Sequence, residues 1–214
     1  MAKTIYKDSQ KIRLPGVTTI TSELGWNKQV LVNWANKLGL RGINSREYVD
    51  DKADIGTLGH QMVIDHIRGT KSSTDDYSKN QIDKAENCLL SYLGWEKGKK
   101  VSVINTETPM VSEKLKFGGT PDFLGYIDDK LTLVDYKTGK GIYLEYWIQV
   151  AGGYLLLLEE SGHKVDDIVI LNIPRAEDES FQVQYIPQAK WGVCKEIFLN
   201  CLSTYKLKKK LTKE

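Results

Sequence analysis

The sequence predicts an α/β fold in which helices flank a central mixed β-sheet, and three features of the chain indicate it. Apolar residues recur at helical spacing through residues 1–98. The pattern changes to the alternation of strands within residues 99–190. Residues 191–214 close the chain as an amphipathic helix that runs into a basic tail. With no internal repeat and no long Gly/Ser or Pro linker, the 214 residues are predicted to form one domain.

Three helices are predicted in the first part, each with a glycine near its end. A Pro-Gly turn signal and a β-branched run over residues 13–20 come before them. The first helix starts at Asn27 and stops at Gly39, the second starts near Ser45 or Asp54 and stops at Gly69, and the third covers Ile82 to Leu93 and ends near Gly94.

The second part carries the predicted sheet. Short β-branched and aromatic runs are separated by turn signals, which is typical of strands. The predicted strands are Val101 to Val103, Met110 to Val111, Thr120 to Ile127, Leu131 to Lys137, Asp167 to Leu171 and Phe181 to Ile186, with a hairpin turn at Asp128-Asp129 and helices over 143–158 and 191–207.

Composition narrows the class of protein. The fractions of 41% hydrophobic and 27% charged residues are those of a soluble globular chain with an ordinary core. The longest apolar patch, 150–158, contains two glycines and is shorter than the roughly 20 residues that a membrane helix needs. The N-terminus lacks the apolar core of a secretory signal, so we expect a cytoplasmic protein with no membrane partner.

Charge and cysteines carry less information. The net charge is +2, but five lysines and one glutamate give residues 205–214 a charge of +4, which leaves −2 for the other residues. A nucleic-acid surface would therefore need clustered basic residues, and the tail is either solvated or adds phosphate contacts. Cys88, Cys194 and Cys201 form no CxxC pair and are predicted to be reduced core thiols.

The most informative residues surround the end of the predicted strand 131–137. Asp135 and Lys137 share one face of it, because alternate residues of a strand point to the same side. Leu131 and Leu133 precede them on that face, so the charges end a buried strand, which is costly unless they are paired or bind a metal. The hairpin brings Asp122 alongside them.

Two facing carboxylates favour a raised pKa or a bound cation. Mg²⁺ needs only one or two carboxylates together with a substrate phosphate, so the arrangement suits metal-assisted hydrolysis of a phosphodiester. Asp135-Tyr136-Lys137 alone is a weak signal, since acid-x-Lys also occurs at residues 50–52 and 128–130, and a surface ion pair is the alternative.

Four motifs in order resemble the PD-(D/E)XK nucleases, specifically the RecB-like exonuclease branch with its phage-encoded members and, more distantly, the mitochondrial genome-maintenance exonucleases. The resemblance extends from about Leu14 to Tyr154. Its motifs are Pro121-Asp122, Asp135-Tyr136-Lys137 followed by Thr138-Gly139, the upstream Gly56-x-x-x-His60, and Glu107 and Gln149 at the expected places.

The resemblance implies a restriction-endonuclease-like sheet with the N-terminal helices over the active site. It implies a Mg²⁺- or Mn²⁺-dependent deoxyribonuclease, an exonuclease acting on single-stranded DNA or DNA ends in recombination, repair or phage genome processing, with recombination or replication proteins as possible partners. By position it assigns Asp122, Asp135 and Lys137 to catalysis, His60, Glu107, Asp122, Asp135 and the Tyr136 carbonyl to the metal, and Thr138, Gln149 and Tyr154 to DNA.

Two departures from the branch bear on this assignment. The tyrosine expected four residues after Gln149 is replaced by Gly153, and Tyr154 would lie about 100° further round an α-helix. Three scattered cysteines cannot supply the four ligands of an iron–sulfur cluster, so we expect none.

Several alternatives stay open from the sequence. Glu113 competes with Glu107 for the upstream acid, and Trp26, Trp34, Trp147 and Trp191 are interpreted as core residues, although Trp26 could stack on a base. The protein could instead be a catalytically weak DNA-binding recombination accessory protein, or a structure-selective endonuclease on the same fold. The oligomeric state is not indicated.

Overall fold

The computed structural model describes residues 4–176 and 179–212. Two short strands and four helices come first, followed by five strands, a helical crossover, two more strands and a final helix. From the N-terminus they are β1 (Tyr6–Lys7), β2 (Arg13–Leu14), α1 (Val17–Thr21), α2 (Lys28–Gly39), α3 (Ser45–Arg68), α4 (Lys79–Glu96), β3 (Val101–Thr106), β4 (Met110–Ser112), β5 (Phe117–Gly119), β6 (Phe123–Ile127), β7 (Lys130–Lys137), α5 (Leu144–Trp147), a π-helical segment (Ile148–Tyr154), α6 (Leu155–Glu160), β8 (Asp167–Asn172), β9 (Gln182–Tyr185) and α7 (Gln188–Thr212).

The central sheet has five strands in the order β3-β6-β7-β8-β9. Only the β7–β8 pair is parallel, because α5, the π-helical segment and α6 form the crossover between these two strands. β6 and β7 form the predicted hairpin. Its two loop residues, Asp128 and Asp129, have φ of 48° and 68°, as a type I′ turn requires. The mixed sheet flanked by helices confirms the predicted fold class.

Both faces of the sheet are covered, and β7 shows how its sequence divides between them. Leu131 and Leu133 face a core formed with the π-helical segment, α6 and α7. Val134 and Tyr136 face a second core formed with α3 and α4. Because strand residues alternate, Asp135 and Lys137 continue the leucine face and end beneath the crossover.

The two long N-terminal helices begin at side-chain caps. Asn44 accepts a hydrogen bond from the Arg46 amide, so α3 begins at Ser45 rather than at the alternative start near Asp54. Ser78 and Gln81 form a capping box at the start of α4, which continues two residues past the predicted stop at Gly94.

Three parts of the chain differ from the predictions. The β-branched run continues into helix α1 rather than a strand, because Val17 and Ile20, three residues apart, are both buried in the first core. The strand at Met110 pairs with β5 in a separate two-stranded sheet, outside the central one. The basic tail is helical through Thr212, and its last two residues lie outside the described part of the chain.

The N-terminal hairpin β1–β2 is fixed against β4 and β5. Lys116 lies 3.1 Å from Asp8 and 2.9 Å from Glu113, and Glu113 also accepts a hydrogen bond from the Ser9 amide. The Glu113 carboxylate therefore joins the hairpin to the β4–β5 loop.

The three cysteines lie in the core, as the sequence predicts. Cys88, Cys194 and Cys201 are free and buried, and burial raises the pKa of the Cys88 thiol to about 12. Hydropathy gives a separate finding. Within residues 4–176 and 179–212, no helix is both long and apolar enough to cross a membrane.

Replacing Leu133 by Ala tests the importance of the first core. Leu133 is fully buried, so the variant should lose about 2–5 kcal/mol of unfolding free energy in urea titrations. Leu211→Ala is the matched control, because Leu211 is 88% exposed near the end of α7 and its loss should leave the midpoint nearly unchanged. Equal losses in the two variants would contradict this description of the core.

Candidate active site

A buried ion pair lies at the carboxyl end of β7. The Lys137 ammonium is 2.6 Å from Asp135 Oδ2, and the two side chains are 17% and 1% exposed. Asp135 Oδ2 receives no hydrogen bond of good geometry from the described residues, so its charge is balanced by the ammonium of Lys137. This is the pairing that a charge at the end of a buried strand requires.

Asp122 joins this pair from the neighbouring strand. The β6–β7 register pairs Phe123 with Val134, which sets Asp122 beside the end of β7, where Asp122 Oδ2 accepts a hydrogen bond of 2.8 Å from the Tyr136 amide. Burial raises the pKa of Asp122 to about 6, with a further contribution from the Asp135 charge, while His60 and Lys137 act in the opposite direction.

His60 reaches the same place from α3. Its Nε2 lies 2.6 Å from the Tyr136 carbonyl oxygen, and its Nδ1 is 3.8 Å from Asp122 Oδ2. One turn earlier in α3, Gly56 allows Thr138 to approach, since a Cβ at Gly56 would lie only 2.6 Å from Thr138 Oγ1. The spacing Gly56-x-x-x-His60 therefore lets the helix pack closely on the end of β7 while its histidine contacts the site.

The ammonium of Lys137 is held from the crossover. Gln149 Oε1 accepts a hydrogen bond of 3.1 Å from Lys137 Nζ, and the ring of Tyr146 lies under the same ammonium, 4.8 Å from its centre. Burial alone would lower the pKa of Lys137, but the carboxylates of Asp135 and Asp122 outweigh it and raise the pKa above its ordinary value. Lys137 is thus a protonated donor.

Tyr154 contacts Gln149, contrary to the sequence expectation. Gln149 Nε2 donates a hydrogen bond of 2.8 Å to Tyr154 Oη, although an α-helix would rotate these side chains apart. The expectation was wrong because residues 148–154 are π-helical, and the wider turn puts residues five apart on the same face. Gly153 cannot carry the side chain instead, because its Cβ would lie 2.6 Å from Val17 Cγ1.

Two cavities of similar size lie beside this cluster. The first has a volume of about 620 Å³ and contains aromatic rings and cations around His60, Lys137 and Thr138. The second, of about 640 Å³, contains Asp122 and Tyr154 together with Glu107, whose amide donates to the Asp122 carbonyl. The predicted residues Thr138 and Tyr154 thus belong to different cavities, and Gln149 lies between Lys137 and Tyr154.

Sequence reasoning missed several side chains that form these cavities. Trp34 was expected in the core, but it lines the first cavity, edge-on to Tyr48 at 5.9 Å, and Trp26 is 47% exposed. Tyr146 could have been found from its spacing, since it precedes Gln149 by one helical turn. Lys140 follows the Thr138-Gly139 motif directly, and Lys209 belongs to the basic tail that the sequence already offered for phosphate contacts. The remaining side chains show no sequence signal, because they reach the site from distant segments. They are Lys52 and Arg175 at the first cavity and Tyr6, Arg13 and Tyr205 at the second.

Several of the predicted metal ligands already contact a partner within the protein. Across the described ranges, no group of three or more His, Cys, Asp or Glu side chains is arranged to hold a metal ion. Asp135 is paired with Lys137, and the Tyr136 carbonyl with His60. Carboxylate and carbonyl oxygens nevertheless suit Mg²⁺ or Mn²⁺, and the buried Asp135 Oδ2, which faces the Lys137 ammonium but accepts no hydrogen bond of good geometry from the described residues, is an oxygen that such an ion would use.

Comparisons with known proteins add only a distant structural similarity. No protein-family model and no curated protein sequence matches this chain. A solved protein from Eubacterium rectale, described as a candidate exonuclease, is similar at 9% identity and a TM-score of 0.45 over 68% of this chain, and the chain spans 64% of that protein.

The alkaline exonuclease LHK-Exo from Laribacter hongkongensis is also similar. Its structure has 15% identity and a TM-score of 0.34, and its complex with dAMP has 18% identity and a TM-score of 0.32. Both cover 75% of this chain and 90% of LHK-Exo. Similarity at these levels supports no conclusion about activity or ligands.

A double-mutant cycle tests the close approach of Gly56 and Thr138. Gly56→Ala alone should lower the unfolding free energy by about 1–3 kcal/mol, because the new methyl group meets Thr138 Oγ1. In a Thr138→Ala background the same change should raise it by about 0.5–1 kcal/mol through helix propensity. An identical effect of Gly56→Ala in both backgrounds would show that the two residues do not touch.

Asp122→Asn should make the metal-free protein more stable at neutral pH. The folded-state pKa of Asp122, about 6, is above the unfolded value near 4, so the wild type loses stability as pH rises from about 4 through 6. The variant lacks this loss and keeps an acceptor for the Tyr136 amide. In chelator above pH 6 its advantage should be on the order of 2 kcal/mol, and it should vanish below pH of about 4.

The exposed carboxylate of Asp50 on α3 provides the matched control. Thermal unfolding of Asp50→Asn should follow the wild type at every pH. If Asp122→Asn showed no advantage over the wild type at neutral pH, Asp122 would not be a destabilising buried charge.

Proposed function

We propose that this protein is a divalent-metal-dependent DNA exonuclease that hydrolyses phosphodiester bonds of single-stranded DNA or of DNA ends. The buried group of Asp122, Asp135 and Lys137 between two open cavities carries this proposal. Two such carboxylates and an ammonium are costly to bury, and the same three groups can bind a cation and a phosphate together.

Asp122, Asp135, His60, Glu107 and the carbonyl of Tyr136 would hold the cation, Mg²⁺ or Mn²⁺. When bound, such an ion lowers the pKa of a water molecule and neutralises charge on the phosphate. The raised pKa of Asp122 supports this assignment, because a carboxylate whose charge is poorly compensated gains most from a cation.

Lys137 would act as a donor rather than as a base. Its raised pKa keeps the amine protonated at neutral pH, so it can orient the attacking water or stabilise negative charge that develops on the phosphate oxygens. Gln149 would position Lys137 through its hydrogen bond, and Tyr154 would orient the Gln149 amide from the other side.

The surroundings suit a nucleic acid strand bound without reading its sequence. The first cavity combines the rings of Trp34, Tyr48 and Tyr146 with the cations of Lys52 and Lys140. Aromatic faces stack on any base, and cations bind any backbone phosphate, so this lining favours DNA of any sequence. An enzyme of this kind would serve recombination, repair or phage genome processing, with recombination or replication proteins as its partners.

Two variants test catalysis and separate it from folding. Asp122→Asn and Lys137→Ala should each lower cleavage of a labelled linear DNA with Mg²⁺ or Mn²⁺ by about 10²-fold or more, and chelation should abolish wild-type cleavage. Lys97→Ala, which removes an exposed lysine at the end of α4, should leave cleavage unchanged. Asp122→Asn is the sharper variant, because it is expected to be at least as stable as the wild type and to keep DNA binding.

Linear and circular DNA substrates distinguish the proposed exonuclease from the two alternative functions. An exonuclease degrades linear DNA and leaves a covalently closed circle intact, whereas a structure-selective endonuclease opens the circle. A wild-type protein that binds DNA but cleaves neither form with either metal would be a DNA-binding accessory protein. Retained cleavage in Asp122→Asn would contradict the assignment of this aspartate.

A further inference from the structure

We infer that the last turns of α7 form part of the DNA-binding site, and that Lys209 binds a backbone phosphate there, opposite Arg13. This inference rests on the proposed nuclease function and extends its DNA site to the second cavity. It assigns a role to the basic C-terminal segment, which the sequence alone left between a solvated tail and a source of phosphate contacts.

The end of α7 is fixed to the body of the protein rather than projecting into solvent. Lys206 Nζ donates a hydrogen bond of 2.9 Å to the Leu115 carbonyl, and Lys208 Nζ lies 2.7 Å from Glu23 Oε1. These two contacts are made to separate segments of the chain. They set the rotation of the helix about its axis and therefore the direction in which the next lysine projects.

Lys209 is the lysine of this segment that lines the second cavity. Its ammonium lies over the ring of Tyr205, 5.2 Å from the ring centre, and both residues face the cavity that contains Asp122. The stacking on Tyr205 restricts the Lys209 side chain without neutralising its charge. Within the described chain, Lys210 lies outside the lining of this cavity.

Arg13 lines the same cavity from the N-terminal hairpin. The hairpin is fixed by the contact of Asp8 with Lys116 and by the hydrogen bond of 2.9 Å between Tyr6 Oη and Thr120 Oγ1, and Arg13 pairs with Lys7 across it. The two cations thus come from opposite ends of the chain and from two anchored elements. The rest of the lining combines threonine and tyrosine hydroxyl groups with apolar side chains and with the carboxylates of Glu107 and Asp122.

This lining can bind phosphate. Cations and hydroxyl donors bind phosphate oxygens, and the second cavity contains both, although the rings of Tyr6, Tyr154 and Tyr205 line it as well. The indole of Trp34, a larger surface for stacking on a base, lines the first cavity. The catalytic group lies between the two, with Lys137 at the first cavity and Asp122 at the second. A strand that crosses this group would place bases in the first cavity and backbone phosphates near Lys209 and Arg13 in the second.

The salt dependence of DNA binding tests this inference. Binding of a fluorescent oligothymidylate is measured by anisotropy in chelator, so that no cleavage occurs. Lys209→Gln and Arg13→Gln should each weaken binding about threefold to fivefold at low salt and reduce the slope of log K against log salt by about 0.7, the value for one phosphate contact on a single strand. The double variant should lose about 1.4.

Lys210→Gln is the matched control, since it removes the same charge one residue further along the same helix. Its slope should equal that of the wild type. Equal slopes for the Lys209 and Lys210 variants would overturn the inference, because the tail would then act only as diffuse charge; so would an unchanged slope in Arg13→Gln.

The experiment distinguishes a failure of this inference from a failure of the proposed nuclease function. If the wild type cleaves DNA and the slopes of the variants equal that of the wild type, the phosphate site is wrong and the nuclease function stands. If the wild type neither binds nor cleaves DNA, both are wrong.

Discussion

The pairing of Asp135 with Lys137 at the end of β7 is the interaction on which the surrounding structure depends. A carboxylate that is 1% exposed can remain charged only beside a counter-charge, and the ammonium at 2.6 Å supplies it. Asp122 then adds a second carboxylate beside the single ammonium of Lys137, and burial raises the pKa of Asp122 to about 6. Two buried carboxylates and one ammonium destabilise the fold, but together they can bind a cation and a phosphate.

Two neighbouring elements, α3 and the crossover, have local features that bring their side chains to this pair. α3 approaches β7 closely enough for His60 to contact the Tyr136 carbonyl, and Gly56 leaves room there for the side chain of Thr138. The crossover widens into a π-helix so that Gln149 and Tyr154 stand on one face above Lys137. Irregular helical geometry of this kind is frequent at functional sites, since it redirects side chains without changing the length of an element.

The N-terminal hairpin and the last turns of α7 both line the second cavity, which contains Asp122 of the catalytic group. The N-terminal hairpin and the last turns of α7 each depend on ion pairs with the body of the protein, through Asp8 and through Lys208. The proposed path for DNA is thus lined by the hairpin and α7, which lie outside the central sheet. Their charge is positive, whereas the rest of the chain is slightly negative, which favours binding of a polyanion at this face.

The sequence alone determined the sheet, the hairpin at Asp128-Asp129 and the approach of Asp122 to the Asp135-x-Lys137 strand, because strand alternation and turn chemistry are local. It did not predict that the run after Pro15 is helical, since the burial of Val17 and Ile20 overrides their strand propensity. Only the tertiary structure decided that Tyr154 meets Gln149, because the π-turn lies where Val17, from a distant segment, packs closely on Gly153. The same holds for the cavities, whose walls join side chains far apart in the chain, and such distant contacts leave no periodic signal in a single sequence.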